Sequence, residues 1–154
     1  MMDPPSDVPG DSLRAQRQPA AGSKEADPKG DGAPRAQRIL VVDDLVDAAD
    51  TLAVYLRILG YDVRTAYDGQ IALHTAAEFL PQIVLLDIAL PKLDGYRVAE
   101  QLRQHDALQS ACLIAISGYG QAIHVNAARQ AGFDHHFLKP VDVEKLVALL
   151  LTVR

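Results

Sequence analysis

The stretch that decides the fold reads Ile83-Val84-Leu85-Leu86-Asp87, four consecutive apolar residues followed by an acid. A continuous apolar run of this length is typical of a β-strand that is covered on both faces, as the central strands of parallel sheets are. An earlier run, Arg38-Ile-Leu-Val-Val-Asp43, has the same texture and also ends in an acid. The two stretches therefore predict buried strands that each carry a carboxylate at the carboxyl end.

Outward from these runs, strand-like and helix-like segments alternate five times over residues 37–154. Strands are predicted at about 38–43, 61–66, 83–87, 112–116 and 134–138, and helices at about 45–59, 68–79, 95–104, 121–131 and 142–152. Gly60 and Pro81 stand where the first two helices should end. Alternation at this spacing predicts parallel strands joined by right-handed crossovers, and hence an open α/β sheet with helices on both faces.

The first 36 residues differ in composition from the rest of the chain. They hold six of the nine prolines and four of the ten glycines, and they contain no aromatic residue. Such a segment cannot bury enough apolar surface to offset the entropy that is lost on ordering. We predict a disordered tail over 1–36 and a single domain over 37–154; a tail that orders on a partner and a wrongly assigned start codon are the alternatives.

The overall composition excludes several classes of protein. The 154 residues carry a net charge of −5 with a pI near 5.4, which gives no reason to expect nonspecific attraction to nucleic acid or to an anionic membrane. A single cysteine, Cys112, cannot form an internal disulfide, which favours a reducing compartment. The sequence has neither an apolar run long enough to span a bilayer nor a secretory signal. We therefore expect a cytoplasmic protein.

The carboxyl ends of the predicted strands carry polar side chains that would meet at one edge of the sheet. Asp43-Asp44 ends the first strand, Asp87 the third, Ser117 the fourth and Lys139 the fifth. Three carboxylates packed together repel one another, and a hard divalent ion with oxygen ligands, magnesium above all, removes the repulsion. A phosphoryl group entering this edge would meet both the metal ion and an ammonium, and a carboxylate can accept it as an aspartyl phosphate.

Taken singly, each of these residues has an ordinary explanation. An Asp at a strand end is usually a helix cap, Ser117 before Gly118 is a common turn, and Lys139 alone would be a surface lysine. The combination is more specific than its members, because one edge collects all five side chains and the second predicted strand contributes none.

Four motifs give the chain a close resemblance to the receiver domain of two-component response regulators, including chemotaxis receivers and the receivers of hybrid histidine kinases. The motifs are Val41-Val42-Asp43-Asp44, Leu85-Leu86-Asp87-Ile88-Ala89-Leu90-Pro91-Lys92-Leu93-Asp94-Gly95, Ile116-Ser117-Gly118-Tyr119 and Phe137-Leu138-Lys139-Pro140. Their order and spacing match the family over essentially all of 37–154. The resemblance implies a flavodoxin-like (βα)5 fold, a doubly wound parallel five-stranded sheet in the order 2-1-3-4-5.

The resemblance also implies roles for the acidic residues. Asp87 is expected to be the phospho-acceptor, which receives the phosphoryl group of a phosphohistidine. Asp43 and Asp44 are expected to hold Mg²⁺ together with Asp87 and the backbone carbonyl of Ala89. We therefore expect Mg²⁺ as the cofactor.

Three further residues have roles by the same resemblance. Ser117 is expected to hydrogen-bond the phosphoryl group and to shift toward it, and Lys139 to pair with another of its oxygens. The bond between Lys139 and Pro140 is expected to be cis. His136 stands where the family usually has a Tyr or Phe that rotates as a switch, and a histidine could take that role and add pH sensitivity. The alternative for His136 is a packed strand residue without a signalling function.

The chain departs from the family pattern at several positions near the site. Leu45 stands where the family commonly carries Glu or Asn, so the metal site would lose a polar group of its outer shell. Ala89 offers no side chain that could orient water toward a phosphoryl group, and Gly118 leaves access to the acceptor. The lifetime of a phosphorylated form is therefore left open.

The leading hypothesis for function is a stand-alone receiver of a bacterial two-component system, without an output domain, that acts by binding another protein. We expect it to catalyse only its own phosphorylation and dephosphorylation and otherwise not to be an enzyme. Its expected partners are a sensor histidine kinase or a histidine phosphotransfer protein and an unidentified output protein, with no nucleic acid and no membrane. It would be a monomer or a weak phosphorylation-dependent dimer, and both a phosphate relay and a terminal docking role are open.

Two other functions are alternatives to this one. A pseudo-receiver would act as a scaffold without phosphorylation, and Leu45 in the metal shell is its best support. An aspartate-based phosphatase like the haloacid dehalogenases needs a second catalytic Asp two residues after the nucleophile, where this chain has Ala89.

Overall fold

The central stretch forms a strand in which all five residues, Ile83–Asp87, are buried. A computed structural model describes residues 35–118 and 124–153. Its strands are β1 (Arg38–Val42), β2 (Asp62–Ala66), β3 (Ile83–Asp87), β4 (Cys112–Ser117) and β5 (His135–Leu138). Its α-helices are α1 (Val46–Ile58), α2 (Gly69–Phe79), α3 (Gly95–Gln104), α4 (Val125–Ala131) and α5 (Val143–Leu150), with a 3₁₀ turn at Asp106–Leu108.

The strands form one parallel sheet in the order β2-β1-β3-β4-β5, which confirms the predicted fold class and topology. The register aligns the carboxyl ends of the central strands, because Val42 pairs with Leu86 and Asp87 pairs with Ile116. Ser117 in turn pairs with Leu138. The polar residues at and just after these positions therefore lie on neighbouring strands along the carboxyl edge of the sheet.

The alternation of side chains along β3 divides the core into two layers. Val84 and Leu86 pack on one face, with residues of α2, α3 and α4. Ile83 and Leu85 pack on the other face, with residues of α1 and α5. Helices thus cover the strand on both sides, which is why its sequence is continuously apolar rather than alternating.

Short polar side chains begin three of the helices. Asp68, Asp94 and Asp142 each accept a hydrogen bond from the backbone N–H three residues later, at 2.8, 3.0 and 3.2 Å respectively. Gly60 ends the first helix as predicted, with a φ of 103° that a side chain would strain.

The predicted boundaries differ from the observed ones by a few residues at most. The last helix ends at Leu150 rather than near 152, and Leu151, directly after it, is exposed. The predicted helix over 121–131 is described only from Val125 onward. Residues 1–34 of the predicted tail lie outside the described residues. Across 35–118 and 124–153, no helix combines the length and the apolar character needed to cross a membrane.

A single arginine joins three segments on the α3 side of the sheet. Arg103 donates to the carbonyl oxygens of Gly132, at 2.6 and 3.1 Å, and of Gln109 and Ala111, at 2.8 and 2.7 Å. It also forms an ion pair of 2.9 Å with Asp134, whose carboxylate accepts from the backbone of β4. The side chain therefore connects α3 with the turn before β4 and with the turn before β5.

We predict that Arg103→Ala lowers the free energy of unfolding by about 3 kcal/mol, because several carbonyl groups would lose a charged donor at once. Denaturant unfolding measures the change. The control is Arg97→Ala on the same helix, whose side chain is exposed and which should change stability by less than about 0.5 kcal/mol. Equal effects of the two substitutions would contradict the joining role of Arg103.

Candidate functional site

Three carboxylates meet at the carboxyl edge of the sheet, as the sequence predicts. Asp43 and Asp87 are 7% and 4% exposed, whereas Asp44 is exposed. One oxygen atom from each of the three lies within 4.8 Å of the others. We call Asp43, Asp44 and Asp87 the acidic cluster.

Lys139 places its ammonium directly between the two buried members of the acidic cluster. Its Nζ lies 2.8 Å from Oδ2 of Asp43 and 3.0 Å from Oδ2 of Asp87. The bond between Lys139 and Pro140 is cis, as predicted. One cation faces three carboxylates, so the formal charge of the site is two units negative.

The backbone fixes the second oxygen of each buried carboxylate. Oδ1 of Asp43 accepts from the N–H of Leu45 at 2.9 Å, and Oδ1 of Asp87 accepts from the N–H of Ala89, also at 2.9 Å. Because Oδ2 of each is held by Lys139, both carboxylates are oriented through both oxygens. The two loops that follow β1 and β3 therefore set the direction of these side chains.

Burial and pairing shift the proton affinities of Asp87 and Lys139. Burial raises the pKa of Asp87, although the N–H of Ala89 and the ammonium of Lys139 act in the opposite direction. Burial of Lys139 acts to lower its pKa, but its hydrogen bonds to Asp43 and Asp87 outweigh that effect and the pKa is raised. Lys139 therefore keeps its positive charge. The ionised form of Asp87, in contrast, has an unfavourable free energy in its buried surroundings.

A glycine allows the first turn of α3 to pack against the backbone that follows Asp87. A Cβ atom on Gly95 would lie 2.5 Å from Cα of Ile88 and 2.6 Å from the carbonyl oxygen of Asp87. The N–H of Gly95 donates to the carbonyl of Ile88 at 3.1 Å. The Asp94-Gly95 pair of the sequence motif therefore begins the helix and keeps the loop after β3 close to it.

Ser117 lies at the end of β4 and is fully buried. Its Oγ is hydrogen-bonded to Nε2 of His136 at 2.8 Å, and its carbonyl oxygen accepts from the N–H of Lys139 at 2.8 Å. His136 is exposed, so it is not the packed strand residue that one of the two sequence readings described. The family resemblance marked His136 as a switch position, but the sequence did not predict its bond to Ser117.

The donor set of the acidic cluster fits Mg²⁺. The ion prefers carboxylate oxygens and is usually held by only a few of them, and three carboxylates with two uncompensated negative charges satisfy both conditions. Leu45 is 59% exposed and brings no polar atom other than its backbone to the site. The carbonyl of Ala89 as a further ligand stays a prediction.

An apolar cavity of about 790 Å³ opens beside the acidic cluster, between α1 and the segment that leads from β5 into α5. Its polar edge includes Asp43 and Lys139, and its apolar wall includes Leu52 and Tyr55 of α1. We call this cavity the apolar groove. It places apolar surface directly next to the site.

Comparisons with known proteins agree with this geometry. A family model described as the response regulator receiver domain matches residues 39–151. The transcriptional regulatory protein PrrA of Mycobacterium tuberculosis is 39% identical over 112 residues, which cover 72% of this chain and 47% of PrrA. The DNA-binding dual master transcriptional regulator RpaA of Synechocystis is 32% identical over 111 residues, which cover 72% of this chain and 46% of RpaA. The chain thus spans about half the length of these relatives.

Solved structures agree as well. A CheY-like response regulator receiver domain from Methylobacillus flagellatus superposes with a TM-score of 0.70 at 28% identity, covering 77% of this chain and 99% of that one. The chemotaxis protein CheY4 of Vibrio cholerae gives a TM-score of 0.72 at 22% identity, covering 77% of this chain and 99% of that one, and at this identity shows the fold alone. With its fold, its acidic cluster and the family model in agreement, the chain belongs to the response regulator receiver domain family.

Proposed function

We propose that Asp87 accepts a phosphoryl group from a phosphohistidine in a Mg²⁺-dependent reaction, and that the phosphorylated form switches a protein–protein interaction or passes the group on. The observation that carries this proposal is the arrangement around Asp87. Its buried carboxylate is held by Lys139 at 3.0 Å and lies in a cluster with two further carboxylates. This is the arrangement that an incoming phosphoryl group requires.

The roles of the side chains follow from their positions. An oxygen of Asp87 forms the new bond to phosphorus while the bond from phosphorus to the donor imidazole nitrogen breaks. Lys139 stabilises the negative charge on the phosphoryl oxygens, because its ammonium already lies within hydrogen-bond distance of the acceptor. Ser117 donates its hydroxyl proton to another phosphoryl oxygen. Bound Mg²⁺ would supply the additional positive charge that the acidic cluster lacks.

The unfavourable free energy of the ionised Asp87 carboxylate supports its role as acceptor. Burial raises the pKa of this carboxyl, so its negative charge is poorly solvated in the resting protein. Removal of the surrounding water also leaves less solvent to compete with Asp87 for the phosphoryl group. The chain thus acts on itself, and we do not assign it turnover of an external substrate.

The other two functions have less support. A scaffold that is never phosphorylated would not need Lys139 and the acidic cluster in contact. The chain lacks the general acid that an aspartate-based phosphatase needs, because Ala89 contributes only its backbone N–H to Asp87. The expectation that nucleic acid plays no part has no support, since relatives named as transcriptional regulators, one of them DNA-binding, are about twice as long as the matched region.

A protein donor would place its histidine at Asp87 by laying a helix in the apolar groove. The groove opens at Asp43 and Lys139, and α1 continues its apolar surface with Ile58, which is 77% exposed. An apolar face beside a charged site suits an amphipathic helix that carries a reactive group on its margin. The partner that we propose is therefore a helical histidine kinase or phosphotransfer domain.

We predict that Asp87→Asn abolishes labelling by acetyl phosphate in the presence of Mg²⁺, because the amide cannot form an acyl phosphate. Intact mass measurement before and after incubation detects the added phosphoryl group. Asp62→Asn, which changes an exposed acid on the edge strand β2, is the matched control and should label like the unaltered protein. Labelling of the Asp87→Asn protein at another residue would overturn the assignment of the acceptor.

In metal-free buffer we predict that Asp87→Asn raises the free energy of unfolding by about 1 kcal/mol, because it removes a poorly solvated charge from a site with excess negative charge. Addition of Mg²⁺ should stabilise the unaltered protein more than the variant, since the ion binds only the folded acidic cluster. Thermal unfolding with EDTA and with magnesium chloride measures both effects. A variant that is less stable than the unaltered protein without metal would contradict this account of the site.

We predict that Tyr55→Glu slows phosphoryl transfer from protein donors at least about tenfold, because it places a charge in the apolar groove. Labelling by acetyl phosphate, which needs no docking, should stay unchanged. Purified phosphorylated histidine kinases serve as the donors, and Ile71→Glu, at an exposed apolar position of α2, is the control. An equal loss in both variants would place the docking surface elsewhere.

A further inference from the structure

The bond between Ser117 and His136 connects a buried hydroxyl to a histidine that is partly exposed to solvent. Ser117 has no exposed surface, whereas His136 belongs to the exposed residues of the edge strand β5. Oγ and Nε2 are 2.8 Å apart, a normal length for a hydrogen bond between a hydroxyl and an imidazole. The imidazole can therefore exchange protons with solvent while it holds the hydroxyl that the proposed function requires.

The protonation state of the ring decides which way the serine proton points. A hydroxyl carries one proton, and a neutral imidazole accepts at one nitrogen and donates at the other. If Nε2 is the acceptor, the proton of Ser117 is committed to His136 and is not directed at a group on Asp87. When the ring gains a proton, Nε2 becomes a donor to Oγ, and the hydroxyl proton is released.

We propose that His136 is a positioning residue that holds the Ser117 hydroxyl proton when the ring is neutral and releases it to the phosphoryl group on Asp87 when the ring is protonated. The released hydroxyl also receives a charge-assisted hydrogen bond from the imidazolium, which makes it a stronger donor. Mild acid therefore favours the phosphorylated form. This inference rests on the proposed function, because Ser117 has a phosphoryl group to contact only if Asp87 is the acceptor.

The surroundings of His136 are compatible with this exchange. His136 lines a small cavity together with Arg129, the charged residue that α4 contributes, and with Asp134 and His135 of its own segment. Asp134 is paired with Arg103 at 2.9 Å and so is largely neutralised. On the side of the site, Lys139 follows on the same segment and is paired with the acidic cluster. Partial burial of the ring lowers the pKa of His136 from its ordinary value, which favours the neutral ring at neutral pH.

The test measures the affinity for beryllium fluoride, which coordinates a carboxylate as a phosphoryl group does, in the presence of Mg²⁺. Titration calorimetry at pH 7.5 and at pH 5.5 compares the unaltered protein with His136→Phe. Asp87 and Lys139 are the same in both proteins, so their titration cancels in the ratio of the two affinities. We expect this ratio to rise about fivefold in favour of the unaltered protein on acidification, the factor for one added hydrogen bond.

Two further variants separate the bond from general effects of charge. His135→Phe removes the adjacent exposed histidine of the same strand and should keep the full pH dependence of the unaltered protein. Ser117→Ala removes the hydroxyl and should lose that dependence as His136→Phe does. Nitrogen chemical shifts of the ring should show Nε2 without a proton at neutral pH, and the shifts should change in Ser117→Ala.

Three results would overturn the inference. One is an equal pH dependence in the unaltered protein and in His136→Phe, and another is a neutral ring that carries its proton on Nε2. The third is loss of the pH dependence in His135→Phe, which would show that the dependence comes from His135 and not from His136. A failure of the unaltered protein to bind beryllium fluoride at either pH is a different result, because it would overturn the proposed function itself and this inference with it.

Discussion

The contact of one ammonium with two buried carboxylates is the interaction on which the site depends. Lys139 reaches Asp43 and Asp87 from β5, so it links the first, third and fifth strands across the carboxyl edge of the sheet. Each carboxylate is also tied to the loop that follows it, through Leu45 and Ala89. Three acids face one base, and this excess of negative charge is the property of the site that would favour a bound cation.

The parts of the fold that depend on local sequence were predictable. The apolar run at 83–87 is long enough for a strand and too short for a helix, and its lack of alternation indicates cover on both faces. The convergence of Asp43, Asp87, Ser117 and Lys139 follows from parallel strands alone, because their carboxyl ends must share an edge. The family model that matches 39–151 agrees with that reading.

Other features depend on contacts between distant segments, and no local pattern encodes them. Arg103 is an ordinary helical arginine in sequence, and only the folded chain brings it to the carbonyl of Gly132 and to Asp134. The bond from His136 to Ser117 joins residues 19 positions apart on adjacent strands and requires the register of β4 with β5. Leu80 adopts a left-handed conformation at a helix end, where a glycine would be the usual signal.

The burial of β5 has a consequence for how the site moves. Three of its four residues are exposed, whereas every residue of β3 is buried, so Asp87 belongs to the most protected strand and His136 to the least protected one, which Lys139 directly follows. Backbone amides of β5 should exchange with deuterium through local opening, and those of β3 only through global unfolding. Asp87 therefore lies on a strand that stays protected, whereas β5, which carries His136 and directly precedes Lys139, can open locally while the core stays intact.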